Sequence, residues 1–350
     1  MLSGYHGMNS EWWYVPKYLL EEKKGPFFEH AIVRFGQEKL RKRCYVSYKG
    51  IRRCCKFQRQ EVGTMPLARV NRINLYFETH GRKGTQPLLL INGFGGTCQD
   101  WGPLASMLSK KFFVITYDNR GAGKSDIPNP PYSMKELTAD AVALLDWLNL
   151  ETTGVFGISM GGMIAQHLAL SFPHRVEKLI LGCTTCKRLA IFCQHAGEST
   201  QISEFLKSLP YDPEKKKAVF EDRMRSVFSK SFLEKHQEEF REFVVNALES
   251  DQSLKGYWGQ LMAILGHNLC AQLSQIAVPT LVLHGTADNL VPLEEGLILA
   301  KRIPQARFIA FEGAGHLFYL EQPVRLTSII AQFFRNNVDI NSSDNFIHKV

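Results

Sequence analysis

The sequence predicts an α/β protein built on a mostly parallel, doubly wound sheet with a helical cap insertion. Three observations support this fold class. From residue 74 onward, short apolar runs alternate with segments of helical periodicity. Ser159 stands between one such run and a helical segment, with glycines on both sides. Between residues 186 and 275 the alternation stops, and the chain becomes charged and helical.

A hairpin opens the predicted sheet, and six buried strands follow it. Met65 begins two strand-like runs that are joined by a turn at Asn71-Arg72. Six later apolar runs have the length and composition of strands that are buried on both faces. These runs are Leu88–Ile91, Phe112–Thr116, Gly154–Ile158, Lys178–Leu181, Thr280–His284 and Arg307–Phe311.

Helical segments lie between the strands. One begins with a capping box formed by Ser133 and Glu136, and the last begins at Pro323, since proline is favoured in the first helical turn. Apolar residues line one face of each helix: Leu137, Ala141, Leu144, Leu145 and Leu148 in the former, and Leu326, Ile329, Ile330, Phe333 and Phe334 in the latter. Within the insertion, helical segments are predicted near residues 201–208, 213–229, 231–249 and 254–265.

These elements divide the chain into parts. Residues 65–185 and 276–335 are predicted to form the α/β core, residues 186–275 the helical cap, and residues 336–350 a polar, frayed tail. Residues 1–64 show no sustained period of a strand or a helix. They can be interpreted as a targeting or interaction arm, or as an ordered extension. We expect a third case, in which translation begins at Met65 and residues 1–64 are not part of the native protein.

Most of the net charge of +8 lies in this basic N-terminal extension. Residues 1–64 contain thirteen Lys and Arg against six Glu, which accounts for +7 and leaves +1 for residues 65–350. Nucleic-acid binding would therefore depend on the basic stretch from Lys39 to Arg59 alone, and no nucleic-acid partner is expected. The oligomeric state is left open.

Composition also bears on location. No apolar stretch is long enough to span a membrane, and the first thirty residues lack the apolar core of a secretory signal. Eight cysteines are scattered along the chain without the dense framework of a secreted disulfide protein. These features favour a cytoplasmic protein.

The stretch Gly157–Gly162 matches the pattern G-x-S-x-G in the setting of a nucleophile elbow. An apolar run leads into Ser159, and apolar residues at helical spacing follow it. A sharp turn from strand to helix exposes a serine oxygen, and side chains at Gly157 and Gly161 would collide with the neighbouring strand and helix. Ser159 is therefore the candidate nucleophile.

Two more polar side chains follow strand ends. Asp288 comes shortly after the run Thr280–His284, and His316 comes shortly after Arg307–Phe311. Ligands of open parallel sheets bind beyond the carboxyl ends of the strands. We therefore expect Ser159, Asp288 and His316 to meet at one rim of the sheet.

The order of serine, aspartate and histidine along the chain resembles that of the α/β-hydrolase superfamily. The glycine turn Asn92–Thr97 and the insertion that precedes Asp288 also resemble features of this superfamily. The resemblance covers about residues 65–335. Tyr117–Asp126 and Gly157–Gly162 are similar to stretches of small bacterial serine hydrolases, such as the 3-oxoadipate enol-lactonases and the pimeloyl-carrier methyl ester esterases. Many relatives have a His-Gly pair where this chain has Asn92-Gly93. We expect the backbone donors of the turn to survive this change.

The resemblance and the chemistry together imply a catalytic triad. A serine hydroxyl is a weak nucleophile near neutral pH, so His316 would act as its base. Asp288 would hold the imidazole in the required tautomer and stabilise its charged form. The backbone N–H groups of Phe94 and Met160 would form the oxyanion hole. This chemistry requires neither a metal nor an organic cofactor.

A serine at the elbow implies acyl chemistry, and it excludes the dehalogenases and epoxide hydrolases of this fold, which use a carboxylate there. We expect an esterase or lactonase that cleaves a small carboxylic ester or lactone through an acyl-enzyme intermediate. An acyltransferase or thioesterase on the same triad is one alternative. A non-catalytic ligand-binding protein on a hydrolase scaffold is another. The substrate itself is not predicted, because the cap would shape the pocket.

Two other motifs are interpreted as structural. Gly121–Ser125 is similar to the end of a P-loop, but the first glycine of that motif falls on Asp118, and the prolines that follow cannot start a phosphate-binding helix. Cys183 and Cys186 have the spacing of a redox or zinc pair, but no second pair follows, so both are interpreted as buried or edge cysteines. Two histidines are interpreted as core or helix residues: His167 and His284.

Overall fold

The computed structural model describes residues 66–187, 220–222, 224–249 and 253–335, together with three strands before residue 56. Contacts within the chain divide it into two units, Met1–Thr64 and Met65–Val350. In the first unit, β1 (Val33–Phe35), β2 (Cys44–Tyr48) and β3 (Ile51–Cys55) form an antiparallel sheet. These strands were not expected, because they are too short to show a sustained apolar alternation. The expected start of the native protein at Met65 stays a prediction.

An eight-stranded sheet forms the centre of the second unit. Its strands are β4 (Leu67–Val70), β5 (Ile73–His80), β6 (Pro87–Ile91), β7 (Phe113–Tyr117), β8 (Thr153–Ile158), β9 (Val176–Gly182), β10 (Thr280–Gly285) and β11 (Arg307–Phe311). The spatial order is β11-β10-β9-β8-β6-β7-β5-β4. All pairings are parallel except β5 with β7 and β4 with β5.

The opening hairpin and the six predicted strands are confirmed, with ends that differ by at most two residues. Asn71 and Arg72 at the hairpin turn have φ angles of 46° and 67°. Two positive φ angles in succession are the geometry of a two-residue hairpin loop, whose twist matches that of the flanking strands. The chain therefore enters the sheet through its antiparallel edge.

Helices cover both faces of this sheet. In chain order they are α1 (Pro103–Ser109), α2 (Met134–Trp147), α3 (Met160–Ser171), α4 (Lys230–Lys235), α5 (Gln237–Glu249), α6 (Leu254–Leu265), α7 (Leu293–Arg302), α8 (Phe318–Glu321) and α9 (Pro323–Phe334). The capping box of α2 is present, since Glu136 N donates to Ser133 Oγ (3.2 Å) and Ser133 N donates to Glu136 Oε2 (2.9 Å). Pro323 opens α9, as predicted. Within the described ranges, none of these helices has both the length and the apolar composition that a membrane crossing requires.

The core consists of two apolar layers, one on each face of the sheet. Leu89 and Val155 lie in the layer formed with α2, α3 and α7, whereas Leu90 and Phe156 lie in the layer formed with α1 and α9. Neighbouring residues of one strand thus enter opposite layers. Because both faces are buried, the strands appear in the sequence as continuous apolar runs. The predicted doubly wound α/β sheet is confirmed.

The helical insertion lies between β9 and β10, and its described part includes α4, α5, α6 and helical residues at 220–222 and 224–227. The segment predicted near residues 231–249 is two helices, because the backbone leaves the helical conformation at His236 (φ −127°, ψ 47°). The segment near 201–208, the first residues of the segment near 213–229, and the tail 336–350 lie outside the described residues. Phe228, Phe232 and Phe240 form a separate apolar cluster of the cap.

A disulfide closes the base of the cap. Cys186, at the start of the insertion, is bonded to Cys270, near its end, across a sequence separation of 84 residues. Lys187 and Asn268 form an antiparallel bridge beside it. Cys183 and Cys186 are both buried, as expected, but the pairing of Cys186 was not predicted. Because disulfides persist mainly in oxidising compartments, this bond weighs against the expected cytoplasmic location, which stays a prediction.

Loss of this disulfide should destabilise the protein. The double variant Cys186→Ser/Cys270→Ser should lose about 2–5 kcal/mol in the free energy of unfolding, because the bond restricts the unfolded chain. Urea unfolding measures this loss. A non-reduced digest should contain Cys186 and Cys270 in one cross-linked product that dithiothreitol separates. Alkylation of Cys186 in denatured, unreduced protein would contradict the bond, and Cys98, a free cysteine, serves as the alkylation control.

Candidate active site

Ser159 lies on the sharp turn between β8 and α3. Its φ of 55° and ψ of −119° are a strained conformation for a residue with a side chain. A Cβ atom on Gly157 would lie 2.2 Å from Gly161 O, and one on Gly161 would lie 2.0 Å from Ile91 O. The predicted reason for both glycines is confirmed, because the chain crosses itself here too closely for side chains.

Strand β9 holds this turn in place. Ser159 N donates to Gly182 O (2.9 Å), and Thr184 Oγ1 donates to Ser159 O (2.7 Å). Gly162 N also donates to Ser159 O, at 2.9 Å. The backbone of the strained residue is therefore fixed on both sides by hydrogen bonds that do not use its side chain, and the side-chain oxygen is left for other partners.

Asp288 and His316 are in direct contact at the carboxyl ends of β10 and β11. His316 Nδ1 lies 2.8 Å from Asp288 Oδ2, and the side chains are 4% and 0% exposed. Leu290 N and Val291 N donate to Asp288 Oδ1 at 2.8 and 2.9 Å. These two backbone donors fix the plane of the carboxylate, so that its other oxygen faces the imidazole. The structure thus brings two of the predicted side chains together, whereas the approach of Ser159 Oγ to His316 Nε2 stays a prediction.

The carboxylate of Asp288 is held in its charged form. Burial alone would raise its pKa, but the charge of His316 and hydrogen bonds from His284 and His316 outweigh burial. Together they place the pKa of Asp288 below its ordinary value. The acid is therefore ionised throughout the pH range in which an imidazole can act as a base, and it favours a proton on His316 Nδ1.

His284 is a contact of the acid that sequence reasoning missed. It is fully buried in β10, as expected of a core residue. Its Nε2 lies 2.8 Å from Val291 O and 3.4 Å from Asp288 Oδ2, so an N–H at this position faces two acceptors. The feature of the sequence that could have indicated this contact was the position of His284 near the end of β10, four residues before Asp288.

The glycine turn after β6 runs beside the nucleophile. A Cβ atom on Gly93 would lie 3.3 Å from Ser159 Cβ, and Phe94 is the next residue. Asn92, where many relatives carry histidine, donates from Nδ2 to Thr97 O, and Asn119 Nδ2 donates to Asn92 O at 3.2 Å. The Asn92 side chain therefore links the first residue of the glycine turn to Thr97 at its end. As the first residue of α3, Met160 carries one of the backbone N–H groups that no carbonyl of the helix can accept.

Among the described residues, Cys183, Asp288 and His316 form a group whose potential metal-ligating atoms lie within 4.8 Å of one another. The chemistry is unfavourable for a metal. Burial raises the pKa of the Cys183 thiol, and the metal-binding form of cysteine is the thiolate. Gly285 N also donates to Cys183 Sγ (3.4 Å), and the other two side chains are already bonded to each other. We interpret Cys183 as packing beneath the acid.

The stretch that is similar to a P-loop has no phosphate-binding geometry. Residues 121–132 contain neither helix nor strand, and the next helix begins only at Met134. Lys124 N donates to Asp118 Oδ2 (2.8 Å), and the Lys124 ammonium lies 4.5 Å from the centre of the Tyr76 ring. A carboxylate thus occupies the place where a P-loop would bind a phosphate.

A pair of histidines near the base of the cap makes stability depend on pH. His167 Nε2 lies 3.3 Å from His267 Nδ1, and His267 Nε2 lies 3.1 Å from Thr185 O. Burial, reinforced by the charge of His167, lowers the pKa of His267 from 6.5 to about 4. The unfolded chain therefore binds a proton near pH 6.5 that the folded chain binds only near pH 4, so stability falls as the pH drops through this interval.

We expect His267→Gln to reduce this pH dependence. The wild-type protein should lose up to about 2 kcal/mol of unfolding free energy from His267 between about pH 7 and about pH 5. Urea unfolding at the two pH values measures the difference, which should be smaller in the variant. An equal difference in both proteins would show that His267 titrates alike in the folded and unfolded chain.

Residues 86–323 match the family model of the alpha/beta hydrolase fold. The chain is 29% identical over 254 residues to 3-oxoadipate enol-lactonase 2 of Acinetobacter baylyi, an alignment that covers 72% of this chain and 89% of that protein. It is 28% identical over 263 residues to poly(3-hydroxyalkanoate) depolymerase of Ectopseudomonas oleovorans, covering 73% of this chain and 86% of that protein.

Among solved structures, the enol-lactonase of Burkholderia xenovorans LB400 superimposes with a TM-score of 0.69 at 26% identity. The match covers 77% of this chain and 100% of the lactonase. The similarity therefore extends over the full length of that relative. The resemblance to enol-lactonases that the motifs indicated is confirmed.

Proposed function

This chain belongs to the α/β-hydrolase family and is an enzyme of the carboxylic ester hydrolase type, and from this premise we propose that Ser159, His316 and Asp288 form its catalytic triad. The triad would cleave a small carboxylic ester or lactone through an acyl-enzyme intermediate. The contact of 2.8 Å between His316 Nδ1 and Asp288 Oδ2, at the same sheet rim as the strained Ser159, supports this proposal most directly.

The proton path follows from the tautomer. Asp288 accepts the Nδ1 proton of His316, which leaves a lone pair on Nε2. This nitrogen would take the proton of Ser159 as its oxygen attacks the substrate carbonyl, and would then donate it to the leaving group. In the second half of the reaction, Nε2 would activate the water that releases the acid product.

The negative charge that develops on the carbonyl oxygen requires fixed donors. The backbone N–H groups of Met160 and Phe94 are the proposed oxyanion hole, because one follows the nucleophile directly and the other belongs to the turn beside it. Each such donor contributes about 3 kcal/mol to the stabilisation of the transition state, or roughly a hundredfold or more in rate.

The proposed substrate class has two supports. The relatives named as an enol-lactonase and a poly(3-hydroxyalkanoate) depolymerase are, by those names, enzymes of carboxylic ester bonds. Apolar side chains of the cap also pack onto Leu317 and Leu320, close to His316 in sequence, which is consistent with a roofed pocket for a small molecule. With a net charge of only +1 in residues 65–350, we propose no nucleic-acid partner.

A panel of short p-nitrophenyl esters and small lactones tests the proposal. We expect turnover of at least one member, and covalent labelling of Ser159 by a fluorophosphonate. Adding alcohol or thiol acceptors to the assay distinguishes hydrolysis from acyl transfer. Failure of every ester and lactone, with no labelling of Ser159, would contradict the proposed function, and labelling without steady-state release would indicate a binding protein.

A further inference from the structure

Helix α6 of the cap packs directly on the backbone of the core. A Cβ atom on Gly256 would lie 1.9 Å from Gly121 O, and one on Gly259 would lie 2.3 Å from the Tyr132 ring. Tyr132 N donates to Gly259 O at 3.3 Å. The two glycines thus allow an approach that side chains would prevent, and they bring the next residue, Gln260, to the glycine turn that carries Phe94.

Gln260 joins two loops of the active-site rim. Its side chain is fully buried, and both ends of its amide are bonded. Gly95 N donates to Gln260 Oε1 (2.8 Å), and Gln260 Nε2 donates to Arg120 O (2.9 Å). Because both partners are backbone groups, the amide fixes the position of one loop relative to the other.

The bond from Gly95 N to Gln260 Oε1 anchors the central peptide of the turn. Gly96 N donates to Gly93 O (3.2 Å), and Gly95 has a φ of 70°, so residues 93–96 form a turn with a positive φ at its third position. This is the type II pattern, which differs from type I by a rotation of the central peptide between Phe94 and Gly95. Glycine tolerates both forms. Rotation of this peptide would reorient Phe94 C=O and Gly95 N–H, whereas Phe94 N–H belongs to the preceding peptide. The bond from Gln260 therefore acts on Phe94, the proposed oxyanion donor, by fixing where the turn lies.

We propose that Gln260 is a positioning residue of the active site, which acts by anchoring the turn 93–96 at Gly95 against the Arg120 loop, so that the adjacent Phe94 N–H is held toward the developing oxyanion. This inference rests on the proposed function, since it assigns a role to a donor of that site. It also makes the cap part of the catalytic geometry, because the residue that orders the turn belongs to α6. The Tyr257 ring packs against Phe94 from the same helix, with ring centres 5.1 Å apart.

The variant Gln260→Leu tests the role. We expect kcat to fall about tenfold to a hundredfold, with a small change in KM, because the weakened interaction, from Phe94 N–H to the oxyanion, is one that strengthens in the transition state. The affinity for a trifluoromethyl ketone, whose adduct with Ser159 carries an oxyanion, should fall by a similar factor. A purely structural role would lower stability without this parallel loss.

Gln166→Leu is the matched control. Gln166 is also fully buried, and its Nε2 donates to Gly162 O (3.1 Å) and Thr185 O (3.0 Å), so the variant loses two buried hydrogen bonds without affecting the glycine turn. We expect a lower unfolding temperature but an unchanged ratio of ketone affinity to substrate KM. An equal loss of ketone affinity in this control would overturn the inference.

A second variant, Gln260→Glu, keeps the inference testable if Gln260→Leu does not fold. The new carboxylate keeps an acceptor for Gly95 N. Its second oxygen, however, faces the carbonyl oxygen of Arg120, to which an ionised carboxylate cannot donate. Its kcat/KM relative to wild type should rise as the pH falls and the new carboxyl is protonated. Wild-type kcat and ketone affinity in a folded Gln260→Leu protein, or a pH-independent ratio in Gln260→Glu, would overturn the inference. Turnover that survives Ser159→Ala would instead overturn the proposed function.

Discussion

Replacing Ser159 by alanine should lower kcat for ester hydrolysis by about 10⁴- to 10⁶-fold, leaving only the residual catalysis that the oxyanion hole and substrate binding supply. The variant loses the oxygen that forms the acyl-enzyme, and no other group at the elbow can replace it. The strain at φ 55° is the same for both residues, because alanine and serine share the Cβ atom that causes it. The hydrogen bonds that hold the turn also use only the backbone of residue 159.

The variant should therefore fold normally, and its unfolding temperature should stay close to that of the wild type. Ser171→Ala, at the exposed end of the same helix, is the control and should retain full activity. Kinetics with a p-nitrophenyl ester and labelling by a fluorophosphonate measure the effect. Turnover within tenfold of the wild type in Ser159→Ala would require another nucleophile and would end the triad assignment.

Asp288→Asn should lower kcat by about 10⁴-fold, because it imposes the wrong tautomer on His316. Leu290 N and Val291 N both donate to the Oδ1 position, so the oxygen of the new amide is held there. The NH₂ group must then take the Oδ2 position and donate to His316 Nδ1. This places the ring proton on Nε2, where the base is needed. The same NH₂ group would also face the N–H of His284, 3.4 Å from that position in the wild type.

Activity of this variant should recover in part at high pH, where the substrate can be attacked without an efficient general base. Asp146→Asn removes an exposed carboxylate that pairs with Arg175 and serves as the control, with unchanged kinetics expected. A loss smaller than tenfold for Asp288→Asn would mean that His316 keeps its tautomer without the acid. His284→Gln combined with Asp288→Asn would then show whether the second histidine compensates.

The elements of the core were predictable because their signals are local. The continuous apolar runs, the capping box at Ser133 and the glycines around Ser159 each reflect a constraint within a few residues of the chain. The candidate site was predictable from the same information, because the strand ends of a parallel sheet meet at one rim. The contact between His316 and Asp288 follows from two strand ends and the order of the strands.

The features that were missed depend on contacts distant in sequence. The bond between Cys186 and Cys270 requires the path of the whole cap, and no spacing rule applies to a separation of 84 residues. Gln260 reaches Gly95 across 165 residues, and nothing near it in sequence marks it as different from other helical glutamines. The break at His236 has no Gly or Pro beside it that would mark it in the sequence. Local sequence patterns therefore predicted the candidate catalytic residues, but not the disulfide, the contact of Gln260 or the helix break.

The backbone contact of α6 with Gly121 limits how this protein could acquire a new specificity. Any side chain at Gly256 or Gly259 would lift the helix from the core and withdraw Gln260 from the glycine turn. Evolution or redesign of the pocket is therefore expected to proceed through other positions of the cap, where a change does not lift α6 from Gly121. Specificity and rate are thus linked in α6, because this helix of the cap also anchors the glycine turn.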